Sequence, residues 1–125
     1  MRTIKFTADL EPVPFPRPAS NGKRRYNPPR YSTFKDVIGH LAKIAMKGQA
    51  PFTGAIKLTA DVYVKREPTS LNSGDWDNHG KAISDALSKI VYGDDRQIVD
   101  GHIRLFKGEP KIIICVEELT NGNDT

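Results

Sequence analysis

The chain has 125 residues and a formal net charge of +4, with 38% hydrophobic and 27% charged residues. This length fits one domain, and the composition is that of a folded globular protein rather than a disordered one. A single cysteine, Cys115, excludes an internal disulfide and a cysteine-rich zinc site, and no apolar run approaches the roughly 20 residues that span a bilayer. We therefore expect a cytoplasmic protein with no membrane segment.

The N-terminal part predicts a strand, a loop and a helix. Residues 2–10 alternate apolar and polar side chains, which indicates a half-buried strand. Residues 11–32 are rich in proline and basic residues and predict a long loop. A helix should follow from Thr33 to about Lys47. Its predicted apolar face is Phe34, Val37, Ile38, Leu41, Ile44 and Ala45.

The C-terminal part predicts a strand, a helix and two more strands. Residues 55–65 alternate cleanly, and a helix should run from Asp77 to Ile90, with Asp75 or Asp77 as its N-cap. Residues 97–107 and 111–118 predict a hairpin, the second strand being apolar enough for burial on both faces. In the first of the two, the residues expected to face inward are Val99, Gly101, Ile103 and Leu105.

The predicted order is therefore β-α-β-α-β-β, an α+β fold in which a mixed sheet packs with two helices. Residues 1–119 should form one domain, followed by a flexible tail at residues 120–125.

The charge is distributed unevenly. Residues 1–50 hold ten Lys or Arg against three acids, whereas residues 51–125 hold nine against twelve. Such asymmetry indicates either an arm that meets a polyanion or a solvated basic loop beside an acidic surface.

Residues 74–81 read Gly-Asp-Trp-Asp-Asn-His-Gly-Lys, and Asp94 and Asp95 follow the helix. The plain interpretation is an N-cap with a surface ion pair, which is worth only about 0.3–0.5 kcal/mol. If the two ends of this helix fold toward a common cleft, several carboxylates lie close together, and two like charges about 4 Å apart repel by roughly 4 kcal/mol at an effective dielectric of 20. Such a cluster persists when a divalent cation offsets the repulsion or when one carboxylate takes a proton, and the density of carboxylates favours the metal site. Oxygen ligands without His or Cys favour Mg²⁺ or Mn²⁺. A lysine beside such an ion suits phosphate chemistry, and the basic arm suits a nucleic-acid substrate.

The composite DWDNHGKAISDAL followed by VYGDDRQIV resembles the RusA family of Holliday junction resolvases of bacteria and their phages. The resemblance implies a Mg²⁺-dependent endonuclease, with Mn²⁺ able to substitute, that acts as a homodimer and nicks symmetry-related strands of four-way junction DNA in recombination and repair. By position, Asp75, Asp77 and Asp95 are implied metal ligands, with Asp94 assisting, and Lys81 is the implied catalytic lysine. Asp85 is expected to be structural, as a partner of Lys81 or a backbone cap.

The basic residues expected to bind DNA are Arg17, Lys23, Arg24, Arg25 and Arg30. Phe15, Tyr26 and Tyr31 lie among them and either stack on bases or tether the arm to the body. We expect Cys115 to be a core residue, Trp76 to be a packing residue and His79 to be structural rather than a phosphate contact. The alternative to a nuclease is a non-catalytic junction-binding protein of the same fold. A metal-dependent enzyme acting on nucleotide sugars is a third interpretation, which leaves the basic arm unexplained.

Overall fold

The computed structural model describes residues 2–16, 29–70 and 73–119. The elements are β1 (Thr3–Ala8), α1 (Pro29–Met46), β2 (Ile56–Val64), α2 (Trp76–Leu87), a short 3-10 helix (Asp95–Gln97), β3 (Ile98–Lys107) and β4 (Lys111–Glu118). This order confirms the predicted β-α-β-α-β-β succession and the α+β class. The predicted tail at residues 120–125 lies outside the described residues.

The four strands form one mixed sheet in the order β1-β4-β2-β3. β4 runs antiparallel to both of its neighbours, whereas β2 and β3 are parallel. The apolar run of β4 explains its central place, because Ile112, Ile114 and Val116 are fully buried. Alternate residues of β2 are buried along its whole length, as its sequence pattern predicts.

The predicted hairpin between the last two strands is wrong. β2 lies between β3 and β4, so the short connection after Lys107 crosses the end of β2. The Gly108 N–H donates to the Val64 carbonyl at 2.8 Å and holds this crossing in place. The sequence distance suggested a tight turn, but β4 is apolar enough to require a neighbour on each side, while β3 forms an edge.

The inward face predicted for β3 is also wrong in part. Val99 is 64% exposed, and Gly101 is exposed, although Ile103 and Leu105 do pack against the core. The pairing with β2 shifts near the start of β3, because Ile56 pairs with Ile98 and the next residue, Lys57, pairs with Asp100. Val99 is the extra residue of this bulge, and the alternation therefore slips by one position.

α1 begins at Pro29 rather than Thr33, and proline is favoured in the first turn of a helix, where its missing N–H would have no partner. Its buried side chains are Tyr31, Phe34, Ile38, Ala42 and Met46, with Gly39 among them. Val37 and Ile44 were predicted to face inward but are 38% and 59% exposed. Tyr31, which the sequence pattern places in the loop, is the first residue of this buried stripe.

Tyr31 joins the two helices. Its side chain is 1% exposed, and its hydroxyl donates to Asp85 Oδ2 of α2 at 2.8 Å. Lys35 Nζ lies 3.2 Å from the same carboxylate oxygen. Burial raises the pKa of the Tyr31 phenol, and the hydrogen bond to Asp85 adds to this effect. Asp85 is therefore structural, but its partners are Tyr31 and Lys35 and not Lys81.

Replacing Tyr31 by Phe should lower the free energy of unfolding by about 1–2 kcal/mol, because it leaves the Asp85 carboxylate without its buried donor. Urea denaturation of the purified protein measures this loss. Tyr63→Phe is the matched control, since the Tyr63 hydroxyl makes no hydrogen bond within the described part of the chain and its ring stacks on Phe106. Equal losses in the two variants would contradict a specific role for the Tyr31 hydroxyl.

Candidate functional site

The first turn of α2 presents two carboxylates to solvent. Asp75 occupies the N-cap position with extended backbone angles, but its side chain makes no capping hydrogen bond. Asp77 lies in the first turn, and both side chains are exposed. The position predicted for the N-cap is thus correct, while the predicted capping bond is not made.

Trp76, between the two acids, fixes the start of α2 to the edge strand. Its Nε1 donates to the Ile103 carbonyl of β3 at 2.8 Å, yet the side chain is 57% exposed. The prediction of a packing residue is therefore wrong for most of the ring. The hydrogen bond, rather than burial, holds the Asp75–Trp76–Asp77 turn in place.

A tight turn precedes these acids. His79 is 2% exposed, and its Nε2 donates to the Ser73 carbonyl at 2.6 Å. Burial lowers the pKa of the His79 imidazole, which is therefore neutral near pH 7. Gly74 has φ +87°, and a Cβ added there would lie 2.8 Å from His79 Nε2 and 2.9 Å from Pro14 Cγ. The turn therefore requires glycine, and His79 has the predicted structural role.

Lys81 lies on the exposed surface of α2 over an aromatic ring. Its Nζ is 5.4 Å from the centroid of the Phe15 ring, which in turn meets Tyr31 edge-to-face at 5.5 Å. The Phe15 N–H donates to the Asn78 carbonyl at 2.9 Å. Within residues 2–16, 29–70 and 73–119, Lys81 forms no ion pair. Sequence reasoning missed this contact because Phe15 and Lys81 are far apart along the chain.

The two acids of the second pair, Asp94 and Asp95, have different surroundings. Asp94 Oδ1 accepts the Arg96 N–H at 2.8 Å, and Asp94 Oδ2 lies 3.2 Å from Arg96 Nη2. These bonds to Arg96 hold the pKa of the Asp94 carboxyl below its usual range. Gln97 completes a capping box and also donates to the carbonyls of Phe52 and Gly54, each at 2.9 Å. Asp94 thus has a structural role, while Asp95 is exposed and forms no ion pair with any described residue.

Tyr92 brings the turn that carries Asp95 against α2. It is fully buried, and its hydroxyl donates to the Ser84 carbonyl at 2.9 Å. Burial raises the pKa of Tyr92, and the nearby charges of Asp95 and Asp85 raise it further. Tyr92 thus anchors the start of this turn on the body of α2, whereas Asp75 and Asp77 lie at the start of the helix.

The donor chemistry fits a hard divalent cation, because all the candidate ligands are carboxylates. Within the described residues, which include all four predicted ligands, no three His, Cys, Asp or Glu side chains are grouped so as to hold a metal ion. The set of Asp75, Asp77, Asp95 and Asp94 therefore stays a prediction.

The structure also places several residues of the basic segment and the sheet. Arg17, Lys23, Arg24, Arg25 and Tyr26 lie outside the described residues, whereas Arg30 is exposed near the start of α1. Phe15 and Tyr31 contact the body of the domain, as the tethering alternative expects. Cys115 is half-buried rather than in the core, and burial raises the pKa of its thiol, which disfavours a nucleophilic role.

Comparison with known proteins identifies relatives of the whole domain. A family model described as Endodeoxyribonuclease RusA matches residues 9–117. The uncharacterized protein YqaN of Bacillus subtilis strain 168 is 27% identical over 141 residues, which cover 96% of this chain and 99% of that protein. In the described part of the chain, no helix is both long and apolar enough to cross a membrane.

The buried His79 should make the fold sensitive to acid. Because burial lowers its pKa in the folded state, the unfolded chain binds the proton first as the pH falls through about 6.5. The free energy of unfolding should therefore fall between about pH 7.5 and 5.5, and less so in His79→Gln, which cannot take up the proton. Urea titrations at the two pH values measure this difference. His40→Gln, at an exposed histidine of α1, is the control and should keep the acid sensitivity of the parent protein.

Proposed function

This chain belongs to the RusA endodeoxyribonuclease family, and we propose that it is a Mg²⁺-dependent enzyme that resolves four-way DNA junctions by paired symmetric nicks. Family membership makes it a nuclease with a role in DNA recombination and repair. The metal, the cutting geometry, the oligomeric state and the residues that act are parts of the proposal.

The observation that carries the proposal is the exposed face of α2. Asp75 and Asp77 lie at its start, and Lys81 follows one turn after Asp77. The opposite face is buried through residues such as Ile83 and Leu87, so the helix cannot rotate these polar groups away from solvent. Carboxylates followed by an ammonium that forms no ion pair with any described residue are the groups that suit metal-assisted phosphate hydrolysis.

Asp75, Asp77 and Asp95 would hold the ion through their carboxylate oxygens, and Mn²⁺ should substitute for Mg²⁺ because both accept oxygen ligands. When bound, the ion supplies an activated water and a positive charge beside the phosphate. Lys81 binds a phosphate oxygen and stabilises the charge that develops there. Asp94 acts through its cap, which sets the turn that carries Asp95.

Phe15 is a positioning residue for Lys81. Its backbone bond to Asn78 fixes the ring against α2, and the ring face lies under the Lys81 ammonium. Such a contact restricts the lysine without neutralising it, as a carboxylate partner would. Lys81 therefore keeps its positive charge available for the phosphate.

The symmetry of the substrate supports a homodimer. A four-way junction has pairs of symmetry-related strands, and each chain carries one set of Asp75, Asp77, Lys81 and Asp95. Two chains related by a two-fold axis would place one set at each of two related phosphates. The substrate is DNA, which fits action in the cytoplasm of a bacterium, whether the gene is bacterial or phage-encoded.

Asp77→Asn should lower the rate of junction cutting by about 10²-fold or more, because asparagine keeps the shape but lacks the charge that holds the ion. The rate of nicking of a labelled synthetic junction in Mg²⁺ measures this effect, and junction binding in EDTA should be retained. Asp36→Asn, at an exposed acid of α1, is the control and should cut normally. If the parent protein binds junctions but does not cut them, the non-catalytic alternative holds.

Phe15→Leu should lower the single-turnover cutting rate about two- to fivefold, since an exposed cation–π contact is worth roughly 0.5–1 kcal/mol. Junction affinity in EDTA should not change, and Phe15→Tyr should restore the rate because the tyrosine ring keeps a π face. Phe106→Leu is the matched control, because it removes the ring beneath another cation, Arg104 at 5.7 Å. A rate in Phe15→Leu equal to that of the parent would show that the ring does not position Lys81.

A further inference from the structure

A basic cleft of about 310 Å³ lies beside the candidate site. Its walls come from the proline-rich segment, the start of α1, the end of β2 and the turn before α2. Three cations line it, Arg30, Lys65 and Arg66, against one acid, Glu11. The cations come from two separate parts of the chain, and only the fold brings them together.

These three cations have no acidic partner among the described residues. In the described ranges, with gaps at residues 17–28 and 71–72, none of them forms an ion pair, and all three are exposed. The nearby Glu67 is bound by Lys107 at 3.1 Å. Arg104, by contrast, is held by both oxygens of Asp61. A cleft with three cations and one acid has an excess of positive charge, which favours an anion.

The cleft adjoins the turn that leads into the candidate site. Ser73 and Pro14 both line it. Pro14 packs so closely on Gly74 that a Cβ there would lie 2.9 Å from Pro14 Cγ. The next residue after Pro14 is Phe15, which contacts Asn78 and Lys81. One short segment therefore has the basic cleft on one side and the lysine of the candidate site on the other.

We propose that this cleft binds a backbone phosphate of the junction DNA, with Arg30, Lys65 and Arg66 supplying the positive charge. The inference rests on the proposed function, because the same DNA strand that contacts Asp75 and Lys81 must continue into the cleft. The cations are exposed, so the cleft has little to hold a free phosphate against water. A phosphate already delivered by the rest of a DNA strand does not need tight binding of its own, and a cleft of this kind sets the position of the strand.

The double variant Lys65→Gln, Arg66→Gln tests the proposal. Binding of a synthetic four-way junction is measured in EDTA over a salt series from about 50 to 200 mM. Loss of one phosphate contact should reduce the slope of log K against log salt by about one and weaken binding several-fold. Lys43→Gln with Lys47→Gln removes the same charge from the other end of α1 and should leave the slope unchanged. Lys65→Arg with Arg66→Lys should bind like the parent protein.

An unchanged slope in the Lys65→Gln, Arg66→Gln variant would overturn the proposal. Inorganic phosphate is the second probe: if it raises the melting temperature of the parent but not of the variant while the junction slope is the same in both, the cleft is a free-phosphate site and the proposal is wrong. If the double variant melts at a lower temperature than the parent, Arg66→Gln alone is measured in its place, with the same expected direction.

The assay is independent of cutting, because it contains no divalent ion. A reduced slope in a protein that never cuts junctions would support the cleft and refute the proposed nuclease mechanism. Normal cutting with an unchanged slope would refute the cleft alone.

Discussion

The structure depends on the burial of one face of α2. Four side chains of this face are buried: Ala82, Ile83, Ala86 and Leu87. Each Å² of apolar surface removed from water stabilises the fold by about 25 cal/mol, so this burial fixes the rotation of the helix. Once the rotation is fixed, Asp77 and Lys81 must lie on the outside, one turn apart. The polar contacts around the helix then act at its ends: Trp76 ties its start to β3, and Tyr92 ties the following turn to its body.

The proline-rich segment is the second element on which the site depends. In residues 11–16, the described part of this segment before α1, three prolines restrict φ and remove backbone donors, so these residues do not join the sheet and form an extended strap against the domain. Within these six residues, the Phe15 N–H donates to the Asn78 carbonyl of α2. Because the ring of Phe15 also meets Tyr31, the strap, α1 and α2 share a single packed junction next to Lys81. A change in the strap therefore reaches the lysine directly.

Much of the fold could be predicted from the sequence, because period-two and period-3.6 patterns report burial of single elements. β2 and α2 are of this kind, whereas β4 was predicted from its continuous apolar run, and it is fully buried on one face and half-buried on the other. The predictions that were wrong concern features that depend on contacts between elements. The hairpin was wrong because adjacency along the chain does not reveal that β4 pairs with β1 and β2, and Val99 was misplaced because a bulge leaves no mark on local alternation. The start of α1 was missed because Tyr31 is anchored by Asp85, a residue in another helix.

The candidate site was predictable as a motif and not as a geometry. Asp75, Asp77, Lys81, Asp94 and Asp95 stand out in the sequence, but only the fold shows that Asp94 is a cap and that Tyr92 anchors the turn before it on α2. The cations of the cleft could not be recognised in the sequence either. Lys65 and Arg66 form no basic run, and only the fold places them beside Arg30 in one cleft.

In the proposed function, the acidic and the basic side chains have different roles. DNA approaching Asp75 and Asp77 is repelled by their carboxylates, so binding without a metal must rely on cations placed to either side. Lys81 and the cleft of Arg30, Lys65 and Arg66 occupy such places. In the proposed function, a divalent ion would cancel the repulsion only at the carboxylates, where the phosphate would be cut. In this proposal the cleft contributes to affinity alone, the carboxylates serve cutting, and Lys81 contributes to both.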